Sequence, residues 1–213
     1  MILKRRWKQR KDTLSSWRKR NMNIGIIGKG NVGTALGNGL RRAGHKIKFG
    51  HRDAKEPVKS AVEWGEVLIL AIPHEAVKNV AKKLGSAADG KIVIDVTNVF
   101  GEDMNLPDGY SVSGAEELQH MIPNAHVVKA FNTVFAKNQS SGHVRGVQLT
   151  AFVAGDNQQA KKTVIQLAKD LGFDPVDCGP LRAARYLEPM ADLIINLAFS
   201  QKMGVDIGYL LVK

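Results

Sequence analysis

The residues with the clearest chemistry are Gly28-Lys29-Gly30-Asn31-Val32-Gly33, which spell G-x-G-x-x-G. Alone, the pattern is weak. Here the apolar run Ile24-Gly25-Ile26-Ile27 precedes it and a helical pattern from Asn31 to Ala43 follows it, the strand–turn–helix context in which it binds a dinucleotide. Gly28 then makes the tight turn, Gly30 lets a pyrophosphate approach the backbone, and Gly33 lets helix and strand pack closely. The helix start offers free N–H groups and the positive end of its dipole to the phosphates. A glycine-rich turn without a ligand is the alternative, and it does not need all three glycines at one junction.

A second group chooses the cofactor. The apolar run at Ile47-Lys48-Phe49 ends in Gly50-His51-Arg52. A site selective for NAD puts a carboxylate there, about 20 residues past the glycines, to bind the ribose 2′-hydroxyl. This chain has none at the tip. A carboxylate repels a 2′-phosphate, whereas the Arg52 guanidinium can bind one bidentately. His51 can add a hydrogen bond and Lys55 a charge, so NADP(H) is the expected cofactor. The alternative is that Arg52 is one more surface cation.

Three more strand ends fall on the same edge: Ile72-Pro73-His74, Thr97-Asn98 and Asn132-Thr133. Pro73 can wall one side of a nicotinamide, and the Asn98 and Asn132 amides can bond a carboxamide or ring edge. Turn chemistry and helix capping explain the same residue types. His74 is a possible acid–base group but also begins a helix. The six histidines are scattered, Cys178 stands alone, and neither a metal-ligand spacing, a G-x-S-x-G elbow nor a P-loop occurs. No catalytic acid, base or nucleophile is therefore assigned, and the cofactor is expected to carry the chemistry.

The elements that must position these groups alternate. Strands at Ile24–Ile27, Ile47–Phe49, Val67–Ile72, Ile92–Val96 and Val127–Phe131 are separated by helical patterns at Asn31–Ala43, Glu75–Leu84 and Ala115–Met121. The stretch from Arg52 to Glu66 reads as a loop, and a further loop carries Gly101, Pro107 and Gly109. Continuous apolar strands between helices predict an α/β fold, a doubly wound parallel sheet of Rossmann type. Extended Leu149–Ala154, helix Gln158–Leu171, strand Pro175–Cys178 and a helical pattern over Leu181–Phe199 predict a short C-terminal α/β extension packed on it.

The net charge of +11 resembles a nucleic-acid signal until it is located. Residues 1–20 hold nine basic residues and one acid, so the other residues carry only +3. Residues 1–21 are accordingly expected to be a basic extension without fixed structure, and 22–213 a single domain; no specific nucleic acid is expected as a partner. No apolar run reaches the roughly 20 residues of a membrane-spanning helix, and a lone cysteine suits a reducing cytoplasm.

With these motifs placed, the chain resembles the coenzyme F420-dependent NADP oxidoreductase family over about residues 22–213, and is also similar to the reductase domain of the STEAP metalloreductases. Ile24–Gly33 with Ala43-Gly44-His45 carries the resemblance. So do Val127–Thr133, Gly172–Asp177 with Gly179-Pro180-Leu181, and Leu187-Glu188-Pro189. It implies hydride transfer between NADP(H) and the deazaflavin F420 as co-substrate. It further implies that Lys29, Gly30, Asn31 and Val32 hold the pyrophosphate, that His51 and Arg52 hold the 2′-phosphate, and that Ile72, Pro73 and His74 flank the ribose and nicotinamide. Val134 and Ala136 would lie under the reacting rings. Leu181 and the helix from Leu187 would cross the open side, with Arg182 or Arg185 for a phosphorylated tail. The family usually has a small hydroxyl residue where His51 stands. A flavin, quinone or ferric acceptor, or an NADP-binding sensor without turnover, stays open, and the apolar C-terminal helix suggests a homodimer.

Overall fold

A computed structural model describes residues 21–52, 55–99 and 111–213. The basic extension and the loop with Gly101, Pro107 and Gly109 lie outside the described residues. Within them the order is β1 (Asn23–Ile27), α1 (Asn31–Arg42), β2 (Lys46–Gly50), α2 (Val58–Trp64), β3 (Val67–Leu70), α3 (His74–Leu84), β4 (Ile92–Asp95), α4 (Gly114–Met121) and β5 (His126–Lys129). Then come α5 (Ala136–Gln139), β6 (His143–Val144), β7 (Val147–Gln148), β8 (Thr150–Gly155), α6 (Gln158–Asp170), β9 (Asp174–Asp177) and α7 (Ala184–Phe199), with short 3-10 turns at Gly85–Ala88 and Leu181–Ala183.

The main sheet runs β2-β1-β3-β4-β5-β8-β9. The first five strands are mutually parallel. Strand alternation explains why helices cover both faces. Ile24, Ile26, Ile69 and Ile94 turn to a core shared with Leu36 and Leu40 of α1 and with Val164 and Leu167 of α6. Ile27, Leu68, Leu70 and Val93 turn to the other face, where Val62, Val77, Ala81 and Leu118 of α2, α3 and α4 lie. This is the expected doubly wound architecture, and the strand order reverses between β1 and β3, where such folds bind ligands beyond the carboxyl ends of their strands.

Three features differ from the sequence reading. Residues 58–64, read as loop, form α2: Pro57 starts it and Ala61 and Val62 are buried. Its backbone packs so closely on β1 that a Cβ at Gly25 would lie 2.5 Å from the Ala61 carbonyl oxygen. Strand β8 joins β5 antiparallel, and β9 then pairs β8 in parallel, so β8–α6–β9 is the C-terminal extension with its direction reversed. Finally, β6 and β7 form a hairpin whose two turn residues, Arg145 (φ 49°) and Gly146 (φ 81°), both adopt positive φ, the pattern whose twist matches paired strands.

Candidate functional site

The glycine turn leaves the carboxyl end of β1, and the three glycines separate by what surrounds them. Gly28 has φ 108°, and a Cβ there would strike the Ala71 carbonyl after β3; a Cβ at Gly33 would strike the Gly28 carbonyl. Both are required by the protein's own packing. A Cβ at Gly30 would meet nothing within 4 Å among the described residues, so none of them demands glycine there. Gly30 is also the N-cap of α1, makes no side-chain cap bond, and is followed by no acid in the first turn. The orphan N–H groups and the dipole of α1 thus open onto unfilled space, an anion site in outline. Asn31 begins α1, and Val32 packs its partly buried side chain against the core.

The loop after β2 is closed by the His51 N–H donating to the Glu56 carbonyl oxygen at 2.6 Å and by a bridge between His51 and Pro57. Arg52 and Lys55 are exposed on it. The Lys29 ammonium lies 2.8 Å from each carboxylate oxygen of Glu56 and 5.6 Å from the centroid of the Phe49 ring.

A cleft of about 400 Å³ is lined by Ile72, Pro73, His74, Glu75, Val96, Thr97 and Asn98. It brings together two of the three expected strand ends. Pro73 is the N-cap of α3, which, like α1, starts without a side-chain cap. The Nδ1 of His74 is buried with no hydrogen-bond partner among the described residues. The third strand end joins through Asn98. Its amide donates to the Asn132 carbonyl oxygen at 3.2 Å, and the Asn132 amide donates to Asn98 Oδ1 at 2.9 Å and to the Leu187 carbonyl oxygen at 2.8 Å. The two asparagines, each expected to contact a ligand, are thus largely spent on each other and on α7. Asn132 Oδ1 remains buried with no partner among the described residues.

Between Asn132 and β5 sits Phe131 with φ 63°, a conformation rare for a bulky side chain and one that persists only where the surroundings impose it. The Gln139 amide does so here, donating to the carbonyl oxygens of Phe131 and Val134 at 3.1 and 2.9 Å. Val134 belongs to the same buried cluster as Leu36 and Phe131, and Ala136 is half-buried at the start of α5. Leu187 is buried and Arg182 is exposed. Arg185, expected to be available to a ligand, makes two 2.8 Å bonds to the Glu116 carboxylate.

Behind the cleft lies a group that the sequence reading passed over. The Lys129 ammonium, at the end of β5 and fully buried, contacts Asp95 Oδ2 at 2.9 Å, Glu188 Oε1 at 2.7 Å and the Thr97 carbonyl oxygen at 2.6 Å. Burial opposes the Lys129 charge, but Asp95 and Glu188 outweigh it and hold its pKa above the ordinary lysine value. Glu188 also accepts from the N–H groups of Gly114 and Ala115 at 3.1 and 3.3 Å, and Asp95 Oδ1 accepts from the Thr97 N–H at 2.9 Å. A lysine and an aspartate inside strands buried on both faces were the available signal, because a buried charge needs a partner.

Against known proteins, residues 23–99 match the family model described as NADP oxidoreductase, coenzyme F420-dependent. The F420-dependent NADP reductase of Methanocaldococcus jannaschii is 32% identical over 154 residues, covering 68% of this chain and 67% of that protein. The chain belongs to this family. It is also 29% identical over 199 residues to the metalloreductase STEAP3 of Rattus norvegicus, covering 88% of this chain but only 40% of that longer protein. A candidate F420-dependent NADP reductase from Arthrobacter sp. FB24 superposes with a TM-score of 0.81 at 24% identity, over 91% of this chain and 100% of that one; that likeness speaks for the fold. Among the described residues no helix is long and apolar enough to cross a membrane.

Proposed function

We propose that this chain is an NADP-dependent oxidoreductase that transfers a hydride between NADP(H) and the deazaflavin coenzyme F420. The observation that carries the reading is the open start of α1 at the β1–β3 switch point, with free space at Gly30 and Arg52 beyond β2. The backbone of Gly28, Lys29, Gly30, Asn31, Val32 and Gly33 would surround the pyrophosphate, while His51, Arg52 and Lys55 would face the 2′-phosphate. The nicotinamide would occupy the cleft beside Ile72, Pro73 and His74, with Asn98, Asn132, Val134 and Ala136 shaping its inner side. The unpartnered His74 Nδ1 and Asn132 Oδ1 suit a polar ligand there.

When bound, the dinucleotide would supply a carbon that gives or accepts hydride. This chain's residues would hold the two reacting groups in position and keep water away, which is where the rate gain of such a reaction arises. The strained Phe131 turn, held by Gln139, fixes the chain at the inner end of the cleft. Family membership supports F420 as the partner. The STEAP3 likeness favours a second reading, in which a flavin, quinone or ferric acceptor takes its place; an NADP-binding sensor without turnover is the third. The proposed compartment is the cytoplasm, where a free Cys178 would stay reduced. The proposed assembly is a homodimer through the exposed Tyr186, Leu193 and Phe199 of α7.

Mixing reduced F420 with NADP⁺ and the purified chain is expected to produce absorbance at the NADPH maximum. Turnover of NADPH with flavin, quinone or ferric chelate and none with F420 moves the chain to the second reading. Tight NADPH binding with no turnover on any acceptor leaves the sensor.

A further inference from the structure

We infer that Lys29 is a ligand of the cofactor's 2′-phosphate rather than of its pyrophosphate, and that Glu56 is the anion occupying its ammonium until the nucleotide binds. The inference rests on the NADP reading above and assigns a specificity role within it.

The position of Lys29 in the glycine turn suggests a role at the pyrophosphate, because its backbone lies there. Its side chain goes elsewhere. The ammonium reaches the loop beyond β2, where both Glu56 oxygens stand 2.8 Å away. The same Glu56 accepts from the His51 N–H through its carbonyl, so Lys29 is tied to the loop that carries Arg52. In a fold of this topology the ribose lies at the tip of the second strand and the pyrophosphate at the helix start. The Lys29 charge is therefore at the ribose end. The pyrophosphate end has its own donors in the uncapped start of α1.

The direction of the side chain is set independently of Glu56. The ammonium stands 5.6 Å from the Phe49 ring centroid, and Phe49 is the penultimate residue of β2, so the ring attracts the cation whether or not a carboxylate is present. The pair with Glu56 is exposed, with side chains 46% and 36% accessible, and an exposed pair of this kind is weak and readily exchanged. A phosphate monoester carries about 1.5 to 2 negative charges at neutral pH and offers three acceptor oxygens, so it competes well with a single carboxylate. NADH lacks that group and leaves the Lys29–Glu56 pair in place. The result is a contact that counts for one dinucleotide and not the other.

The test is direct binding of NADPH and NADH, followed by nucleotide fluorescence, to the full chain and to Lys29→Met and Glu56→Gln. Lys29→Met should weaken NADPH about five- to tenfold and move NADH by less than about twofold. Glu56→Gln should tighten NADPH about twofold, because Lys29 is released to the phosphate, and leave NADH unchanged. Equal weakening of both dinucleotides by Lys29→Met would place the lysine on the pyrophosphate and overturn the inference. No change for either would make Lys29 a surface tether only and overturn it as well. Weaker NADPH binding by Glu56→Gln would overturn the role given to Glu56. These results are separable from a failure of the underlying reading, which would appear in the unmodified chain as no preference for NADPH over NADH.

Discussion

Two helices that start at the same edge of the sheet are finished in opposite ways. The first turn of α4 is closed by the chain itself. Ser113 and Glu116 form a reciprocal capping box, and the Glu188 carboxylate takes the next two N–H groups. The start of α1 has a glycine N-cap, no side-chain bond and no acid in its first turn. Both ends have the same need, four N–H groups and half a positive charge to satisfy. The difference separates what the fold requires from what a ligand would complete. Changes at the closed end should register as stability, and changes at the open end as affinity.

The largest effect should come at the closed end. Lys129→Met leaves Asp95 and Glu188 buried beside each other without a cation, and breaking a buried pair from one side costs about 3–5 kcal/mol. Urea denaturation should show that loss; an unchanged midpoint would mean that the cluster does not hold the fold. At the open end, Arg52→Ala should lower NADPH affinity by about 1.5–3 kcal/mol, some ten- to a hundredfold, while NADH affinity and the denaturation midpoint stay put. Equal losses for the two dinucleotides would remove Arg52 from the 2′-phosphate.

Gly30→Ala sharpens the contrast further. No atom of the described residues opposes the new methyl and the backbone angles, φ −77° and ψ −168°, suit alanine. Stability should therefore fall by no more than about 1 kcal/mol, the cost of alanine in place of glycine at an N-cap, while NADPH and NADH affinity both fall about tenfold, because the pyrophosphate loses its close approach. A stability loss as large as that of Lys129→Met would erase the distinction between the two ends. The smallest effect concerns pH. The hydrogen bonds from Arg185, aided by Ser113, hold the Glu116 carboxyl near about 2, against an ordinary 4.5. A carboxyl depressed by folding stabilises above its unfolded pKa, and that contribution is lost as pH falls from about 4.5 through about 2. Solvent screening limits it to about 1 kcal/mol. Arg185→Met should flatten the acid limb of a stability–pH curve between those values, leaving stability at pH 7 about 1 kcal/mol lower.

The open end was legible from the sequence because its signal is local: three glycines, a strand before and a helix after. The parallel strands were legible for the same reason, each being a short apolar run. What escaped depended on partners far apart in the chain. Lys129, Asp95 and Glu188 meet only because β4 and β5 are neighbours and α7 returns to them. Asn98 and Asn132 each suited a ligand contact when taken singly, and their bond to one another follows from the β4–β5 pairing. The direction of β8 was invisible because an apolar run carries no arrow. Helix α2 was missed although local, since seven residues after a proline show too few turns for a helical period to stand out.

The buried cluster also orders events in time. A chain emerging from its N-terminus completes β4 and β5 long before Glu188 appears, 59 residues after Lys129. Until then Lys129 has only Asp95 of its two carboxylate partners, and the Gly114 and Ala115 N–H groups lack their Glu188 acceptor. Domains generally fold as units, so the buried cluster of this one reaches its full set of partners only once α7 has been made. The last carboxylate of the cluster to be synthesised thus joins β5, the wall of the cleft and the start of α4 in one step, and a chain interrupted before it would hold its nucleotide turn on an unlatched sheet.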